Sequence, residues 1–211
     1  SSTQLRLDRA NHTRNLVMLV NLFSVPLIQY EIADWHIAKQ KILDALPAEC
    51  PKYAYPEEGC LFTDFFINKG VTSLPDYSDT VLDIIEPYLA DAFGGAEVQL
   101  TDMWHQKYSK GVRHSFHNHG HSGWSSIIYV EFDPDKHQAT RFMSPFNNFR
   151  TGDIEMYTPP VNEGTMIIFP STIAHEAPAN KSDTRRTIVS YNIRGHIEAV
   201  KKTLFKNDAK R

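Results

Sequence analysis

Residues 108–131, YSKGVRHSFHNHGHSGWSSIIYVE, place four histidines within eight residues and follow them with a β-branched run. The run SSIIYVE predicts a buried strand. In extended backbone, residues two apart point to the same side, about 6.5 Å apart along the strand. His117 and His119 can therefore direct two imidazoles at one metal ion.

Two readings of this segment remain open at this point. The histidines can be metal ligands, or they can belong to a solvated loop with ordinary hydrogen bonds. Gly120 and Gly123 predict a turn after the histidine pair. His121 is therefore not expected to join His117 and His119.

A second segment favours the metal site. Residues 164–192, GTMIIFPSTIAHEAPANKSDTRRTIVSYN, contain a glycine turn, an apolar strand, the lone His175, a second turn and another strand. Arg185 and Arg186 lie ten and eleven residues beyond His175. A His-x-His pair, a distant histidine and a following arginine form a recognisable constellation.

This constellation resembles the 2-oxoglutarate- and Fe(II)-dependent oxygenases. The likeness is to a bacterial and phage branch with the patterns HxH…S-G/S-x-x-Y and FPSxxxH…RxxxSxN. It runs from about residue 21, where NLFSVPLI resembles the start of that branch, to about residue 193. Tyr108 and Gly111 also match a Y-x-x-G segment that precedes the first ligand in the prolyl hydroxylase group.

The resemblance implies Fe(II) and 2-oxoglutarate as cofactors. It implies metal ligands at His117, His119 and His175. It also implies an arginine anchor for the cosubstrate carboxylate, and further cosubstrate contacts at Tyr129, Tyr108 and Asn192, with Ser190 as another polar candidate.

One position departs from the family pattern. The family has Asp or Glu two residues after the first histidine, where this chain has His119. The site is then either a three-histidine site or one completed by a carboxylate from elsewhere. The candidate carboxylates are Asp102, Glu131 and Asp133.

Strand alternation separates the two arginines, because neighbouring residues face opposite sides of a strand. Arg186 shares its face with Ser190 and Asn192, which suit a cavity that accepts a dicarboxylate. We therefore predict Arg186 as the anchor. Arg185 is the alternative anchor, and otherwise a charge at the rim.

The pattern of apolar residues predicts an α+β fold that is mainly β. One helix is expected to begin after a capping Asp34 and a second near Ser78, both packing on one sheet. Residues 50–59 are expected to form a loop. Strands are predicted from residue 97 onward, at 98–108, 125–132, 140–143, 154–157, 165–169 and 187–193. The resemblance implies a double-stranded β-helix, or jelly roll.

The length of 211 residues suits a single domain spanning 1–211. Its catalytic core is expected at about 97–196, and the first 15 or so residues are expected to be disordered. The net charge of −3 gives no nucleic-acid signature. Apolar runs are too short to span a membrane. Two cysteines, Cys50 and Cys60, suit free thiols and predict a cytoplasmic location.

The resemblance implies a dioxygenase that hydroxylates a protein side chain or a small molecule. It would consume O₂ and decarboxylate 2-oxoglutarate to succinate. One alternative is a cupin-like three-histidine enzyme without 2-oxoglutarate, which His119 favours. Another is a non-catalytic jelly-roll binding module. The arginine beyond His175 favours the oxygenase.

Overall fold

Two antiparallel sheets and three helices form the part of the chain that the computed structural model describes, residues 24–48, 52–55, 59–68, 74–121 and 123–195. The helices are α1 (Trp35–Ala45), α2 (Phe65–Asn68) and α3 (Ser78–Ala92). The strands are β1 (Ile28–Glu31), β2 (Lys52–Tyr55), β3 (Gly59–Thr63), β4 (Val98–Tyr108), β5 (His114–His117), β6 (Trp124–Glu131), β7 (Arg141–Asn147), β8 (Ile154–Tyr157), β9 (Thr165–Pro170), β10 (His175–Ala177) and β11 (Arg186–Gly195). The predicted N-terminal disorder and Cys50 lie outside the described residues.

The strand order confirms the predicted fold class. The larger sheet has the order β1-β9-β6-β11-β4-β3-β2, and the smaller sheet has the order β5-β10-β7-β8. Every pairing is antiparallel. The result is a mainly β jelly roll with helices added from the N-terminal part of the chain.

The central strands of the larger sheet, β6, β9 and β11, are buried on both faces, and their residues alternate between two apolar clusters. Ile127 and Ile188 belong to the inner cluster, which also contains residues of the smaller sheet. Ile128 and Val189 belong to the outer cluster, which packs on α1 and α3. Each fully buried side chain of this size contributes roughly 1.5–3 kcal/mol. Burial on both faces explains why these strands are almost continuously apolar.

The start of α1 differs from the prediction that Asp34 caps it. Asp34 adopts the left-handed conformation with φ of 48° and makes no side-chain capping bond. A capping side chain needs extended backbone to reach the first N–H groups. Here the Asp34 carbonyl accepts from the N–H groups of Ile37 and Ala38 instead. The second predicted helix corresponds to α3, which begins at Ser78 as predicted and continues through Pro87.

A contact between Gly164 and Trp35 joins α1 to the larger sheet. Gly164 has φ of 89°, and a Cβ there would lie 2.7 Å from Trp35 Cγ. The neighbouring Glu163 accepts hydrogen bonds from Trp35 Nε1 at 3.2 Å, Lys39 Nζ at 2.9 Å and Phe132 N at 3.3 Å. This carboxylate therefore ties the helix to the chain leaving β6.

The expected loop at residues 50–59 is wrong in part. Lys52–Tyr55 forms β2, which pairs with β3 at the edge of the larger sheet. Its sequence KYAY has two aromatic residues, and pairing with a neighbour decides whether such a segment becomes a strand. In the part of the chain that is described, no helix is long and apolar enough to cross a membrane.

Candidate metal and cosubstrate site

His117 and His175 face each other across two strands of the smaller sheet. Strands β5 and β10 pair so that these two histidines are direct cross-strand partners. Their ring centroids are 4.4 Å apart, and His175 is only 3% exposed. The sheet register thus brings together two residues that are far apart in sequence.

His119 lies beyond the end of β5, and its backbone N–H donates to the carbonyl of Ser171 at 2.8 Å. Its ring centroid is 5.4 Å from that of His117 and 5.0 Å from that of His175. One nitrogen from each of the three rings lies within 4.8 Å of the others. This is the geometry expected of three ligands to one ion.

The chain turns after His119, as the two glycines predict. Gly120 and Gly123 have φ of 62° and 98°. A Cβ on Gly123 would lie 2.8 Å from the carbonyl oxygen of Ile193, so only glycine fits there. His121 is exposed on this turn and does not belong to the group of three.

Each of the three rings places Nδ1 beside an oxygen that can only accept. The acceptors are the carbonyl of Ser115 for His117 at 2.7 Å, the carbonyl of Ile173 for His175 at 2.9 Å, and Asn192 Oδ1 for His119 at 2.9 Å. The proton therefore resides on Nδ1 in all three imidazoles. Their Nε2 lone pairs remain for a metal, as the outer hydrogen bonds of metal-bound histidines require.

Burial disfavours the charged form of His175 and of His119. It lowers the pKa of His175 to about 2 and that of His119 to about 4, and the nearby His117 adds to both shifts. A neutral imidazole is the form that binds a metal. The site is therefore ready for a cation at neutral pH.

A fourth ring, His114, has the opposite hydrogen-bond polarity. It stacks on His117 with ring centroids 3.9 Å apart. Its Nδ1 lies 3.3 Å from the amide nitrogen of Gln106, which can only donate. The proton of His114 is then on Nε2. No pattern in the sequence predicted that His114 stacks on His117 or carries its proton on Nε2.

The three candidate carboxylates bond elsewhere. Their partners are Arg185 and Thr187 for Glu131, Lys136 for Asp133, and Asn192 for Asp102. Among the described residues, no carboxylate joins the group of three histidines. Asp102 is the nearest to doing so, because its partner Asn192 contacts His119.

Arg186 is buried at 2% exposure on the inner face of β11. Its guanidinium donates to the carbonyls of Gln138 at 2.6 Å and Pro178 at 3.0 Å. Its central carbon lies 4.2 Å from the centre of the Tyr108 ring. No ion pair to Arg186 occurs within the described ranges. Burial lowers the pKa of Arg186, because the charge is held without an anion.

Tyr129 lies on the neighbouring strand and is 1% exposed. Its hydroxyl accepts from the Thr140 N–H at 3.1 Å, so its own proton can be donated. Burial raises the pKa of Tyr129, which keeps this hydroxyl protonated. Tyr108 contributes the face of its ring to Arg186.

A small cavity of about 20 Å³ separates the histidines from the strand that carries Arg186. Its lining includes His117, His119, His175, Tyr108, Ile188 and Ser190. This volume holds about one water. Binding of a dicarboxylate therefore requires the lining side chains to shift.

A larger apolar cleft of about 730 Å³ lies behind His175. The rings of Phe142 and Phe169 line this cleft and lie 5.8 Å and 4.9 Å from the His175 ring, centroid to centroid. The exposed side chains of Phe146 and Tyr157 line its mouth. The cleft and the histidines thus share a wall.

Comparison with known proteins shows similarity to the 2-oxoglutarate- and Fe(II)-dependent oxygenases. No curated protein matches the chain. The family model described as "Putative 2OG-Fe(II) oxygenase" matches residues 102–192, which contain the three histidines, Arg186 and Asn192.

Similar structures share the fold at low sequence identity. The α-ketoglutarate-dependent epimerase SnoN of nogalamycin biosynthesis has 14% identity and a TM-score of 0.58, with 79% of this chain and 77% of SnoN covered. An oxidoreductase of the 2OG-Fe(II) oxygenase family from Burkholderia pseudomallei has 17% identity and a TM-score of 0.56, with 81% and 84% covered. A Pseudomonas putida prolyl-4-hydroxylase has 15% identity and a TM-score of 0.51, with 82% and 94% covered.

SnoN has also been crystallised with Fe³⁺, α-ketoglutarate and nogalamycin RO. The same metal and cosubstrate suit the three imidazoles, whose nitrogens lie within 4.8 Å of one another, and the buried Arg186, which has no ion pair among the described residues. The match over residues 102–192, the jelly roll and this donor set agree. Residues 102–192 thus match the 2-oxoglutarate- and Fe(II)-dependent oxygenases.

Proposed function

We propose that this oxygenase hydroxylates a small molecule or a protein side chain, with Fe(II) held by His117, His119 and His175. Arg186 is the proposed anchor for the distal carboxylate of 2-oxoglutarate. Tyr129 is proposed to donate a second hydrogen bond to that carboxylate, and Arg185 has no part in it.

The buried charge of Arg186 is the observation that carries this proposal. A guanidinium at 2% exposure, bonded to two carbonyls, still lacks an anion among the described residues. An unpaired buried charge costs several kcal/mol, whereas a carboxylate can pair with the guanidinium fork in two places. A dicarboxylate cosubstrate supplies that anion.

The cupin-like alternative leaves this arginine unexplained. A three-histidine enzyme without 2-oxoglutarate needs no buried cation on the strand behind its metal. A non-catalytic module would need neither Arg186 nor three imidazole nitrogens within 4.8 Å of one another. The oxygenase uses both features.

The proposed roles of the chain's own groups are limited to binding and orientation. When bound, Fe(II) and 2-oxoglutarate activate O₂ for oxidation of a C–H bond. Three imidazoles would hold the ion and would leave further ligand positions for the cosubstrate and O₂. The buried ring of Trp104 packs edge-on against His119, with ring centroids 5.3 Å apart.

The substrate region is proposed to be the apolar cleft that shares Phe142 and Phe169 with the wall of His175. Its aromatic lining suits an apolar portion of the substrate. The similar structures include an epimerase of nogalamycin biosynthesis and a prolyl-4-hydroxylase, which is consistent with either a small molecule or a protein side chain as substrate.

Anaerobic titration tests this proposal. Protein prepared without metal should bind about one Fe(II) per chain, and the loaded protein should then bind 2-oxoglutarate. Admission of O₂ should release succinate slowly even without substrate. Metal binding without any binding of 2-oxoglutarate would favour the cupin-like alternative. If His117→Ala and His175→Ala both kept their metal, the ligand assignment would be wrong.

A further inference from the structure

We propose that Asp102 is a positioning residue that sets the tautomer of His119 through Asn192. This inference rests on the proposed function, because it treats His119 as a metal ligand. Asn192 Nδ2 donates to Asp102 Oδ2 at 3.2 Å. The other end of the same amide, Asn192 Oδ1, lies 2.9 Å from His119 Nδ1. The three side chains thus form one chain of hydrogen bonds that leads to the metal site.

The polarity of this chain follows from the first residue. An ionised carboxylate can only accept, so the amide group facing Asp102 is the NH₂. Asn192 Oδ1 must then face His119, and a carbonyl oxygen can only accept. The proton of His119 is therefore on Nδ1, and Nε2 keeps the lone pair that a metal needs.

Ser125 does not make this choice by itself. It is fully buried, and its Oγ lies 2.7 Å from His119 Nδ1 and 2.8 Å from Ser171 Oγ. Its Oγ also donates to Asn192 Oδ1 at 2.8 Å, so Ser125 accepts from His119 only while the amide oxygen faces it. Asn192 Oδ1 suits only one, because two lone pairs at 2.9 Å would repel. The orientation of the Asn192 amide therefore decides the tautomer of His119.

The other two ligands need no such device. His117 and His175 donate to the backbone carbonyls of Ser115 and Ile173, which cannot reverse. His119, in contrast, has the Asn192 amide as a partner, and the two ends of an amide can exchange. His119 also stands where the family carries a carboxylate, which has no tautomers. Asp102 fixes the tautomer of His119 and places a negative charge two hydrogen bonds away from this ligand.

The substitution Asp102→Asn tests the idea with little change of shape. An asparagine at this position can donate, so the amide of Asn192 can turn and present NH₂ to His119. The expected result is a loss of the Nδ1–H tautomer of His119, measured by imidazole ¹⁵N–¹H correlation spectra of the metal-free protein. Fe(II) or Co(II) affinity should fall roughly tenfold, the usual effect of losing such an outer partner.

Exchanging the two residues should restore the site. In Asp102→Asn combined with Asn192→Asp, the new carboxylate accepts from His119 Nδ1 and the new amide donates to it. Both the tautomer and the metal affinity should return to at least the original level. The matched control is Asp91→Asn. Asp91 lies in the last turn of α3, and its carboxylate accepts a hydrogen bond from Tyr30 at 2.6 Å. This change should alter neither the tautomer of His119 nor the metal affinity.

Two results would overturn the inference. One is an unchanged His119 tautomer in Asp102→Asn. The other is a loss of metal affinity that the exchanged pair fails to rescue, which would indicate a merely structural carboxylate. The tautomer is measured without metal, so it is informative even if the wild-type protein bound no Fe(II). In that case the proposed function would fail separately.

Discussion

Arg185 and Arg186 are neighbours in the chain, yet their guanidinium groups lie in opposite environments. The Arg185 side chain is 51% exposed and bonds to both carboxylate oxygens of Glu131, at 2.9 Å and 3.0 Å. Arg186 is 2% exposed and lies against Tyr108. Strand alternation accounts for this separation, because successive side chains leave opposite faces.

Arg186→Ala should raise the dissociation constant of 2-oxoglutarate by well over tenfold. Loss of a buried charge-assisted pair costs roughly 2–5 kcal/mol. The measurement is an anaerobic titration of the Fe(II)-loaded protein with 2-oxoglutarate. Metal affinity should remain at the wild-type level.

Arg185→Ala is the matched control, because exposed ion pairs contribute only about 0–1 kcal/mol. It should leave the affinity for 2-oxoglutarate nearly unchanged. If Arg185→Ala weakened cosubstrate binding more than Arg186→Ala, the anchor would be the outer arginine.

His119→Ala should weaken metal binding as much as His117→Ala does, since each removes one of three ligands. His119→Asp should restore Fe(II) binding, because a carboxylate adds negative charge to the site. Competition with a chelator of known affinity measures both effects. His121→Ala, which changes an exposed histidine outside the group, should have no effect. Wild-type affinity in His119→Ala would remove this residue from the ligand set.

Phe146→Ser should weaken binding of an apolar aromatic dye such as anilinonaphthalene sulfonate. Phe146 lines the apolar cleft, and a ring of this size contributes about 1.5–3 kcal/mol when it is fully covered. Fluorescence titration gives the dissociation constant. Phe149 is 95% exposed and does not line the cleft, so Phe149→Ser is the comparison. Equal effects of the two changes would mean that the dye binds outside the cleft.

Glu131 should make the stability of the protein depend on acid pH. Burial alone would raise the pKa of Glu131, but bonds from Arg185 and Thr187 outweigh it and lower the pKa below 4.5. A lowered pKa stabilises the folded state above about pH 4.5, and this contribution disappears as the pH falls further. Because Arg185 is exposed, the contribution is about 0.5–1 kcal/mol.

Denaturant unfolding of wild type and Glu131→Gln, measured from pH 7 to pH 3, checks this sign. The variant should be less stable at pH 7, and the difference should shrink toward pH 3. The same change at Glu97, which is exposed, should give no such trend. A difference that grew toward acid pH would show that the folded-state pKa is raised.

Apolar runs and the alternation of apolar and polar residues along the chain predicted much of the fold. Strands β6, β8, β9 and β11 lie within a residue or two of their predicted positions, because each is an apolar run or an alternating run bounded by turn residues. The same alternation predicted that Arg186 shares a face with Ser190. Tertiary pairing decided β2, and an unusual backbone conformation decided the role of Asp34, so neither was visible in the local sequence.

The histidines were predictable and their supports were not. His117, His119 and His175 follow from spacing and resemblance. The contact between Asn192 and His119 joins residues 73 positions apart and depends on the register of β11 against β6. Asn192 stays a predicted cosubstrate contact, and in the structure its side chain bonds to His119, Ser125 and Asp102. Such partners depend on three-dimensional proximity alone.

The bonds from Glu163 to α1 have a consequence for protein engineering. A fragment trimmed to residues 102–192 would lose Trp35 and Lys39 as partners of Glu163, and would uncover the apolar outer face of the larger sheet. Exposed apolar sheet surface promotes aggregation. We therefore expect the minimal soluble oxygenase to include α1 and α3, although every proposed catalytic contact lies beyond them.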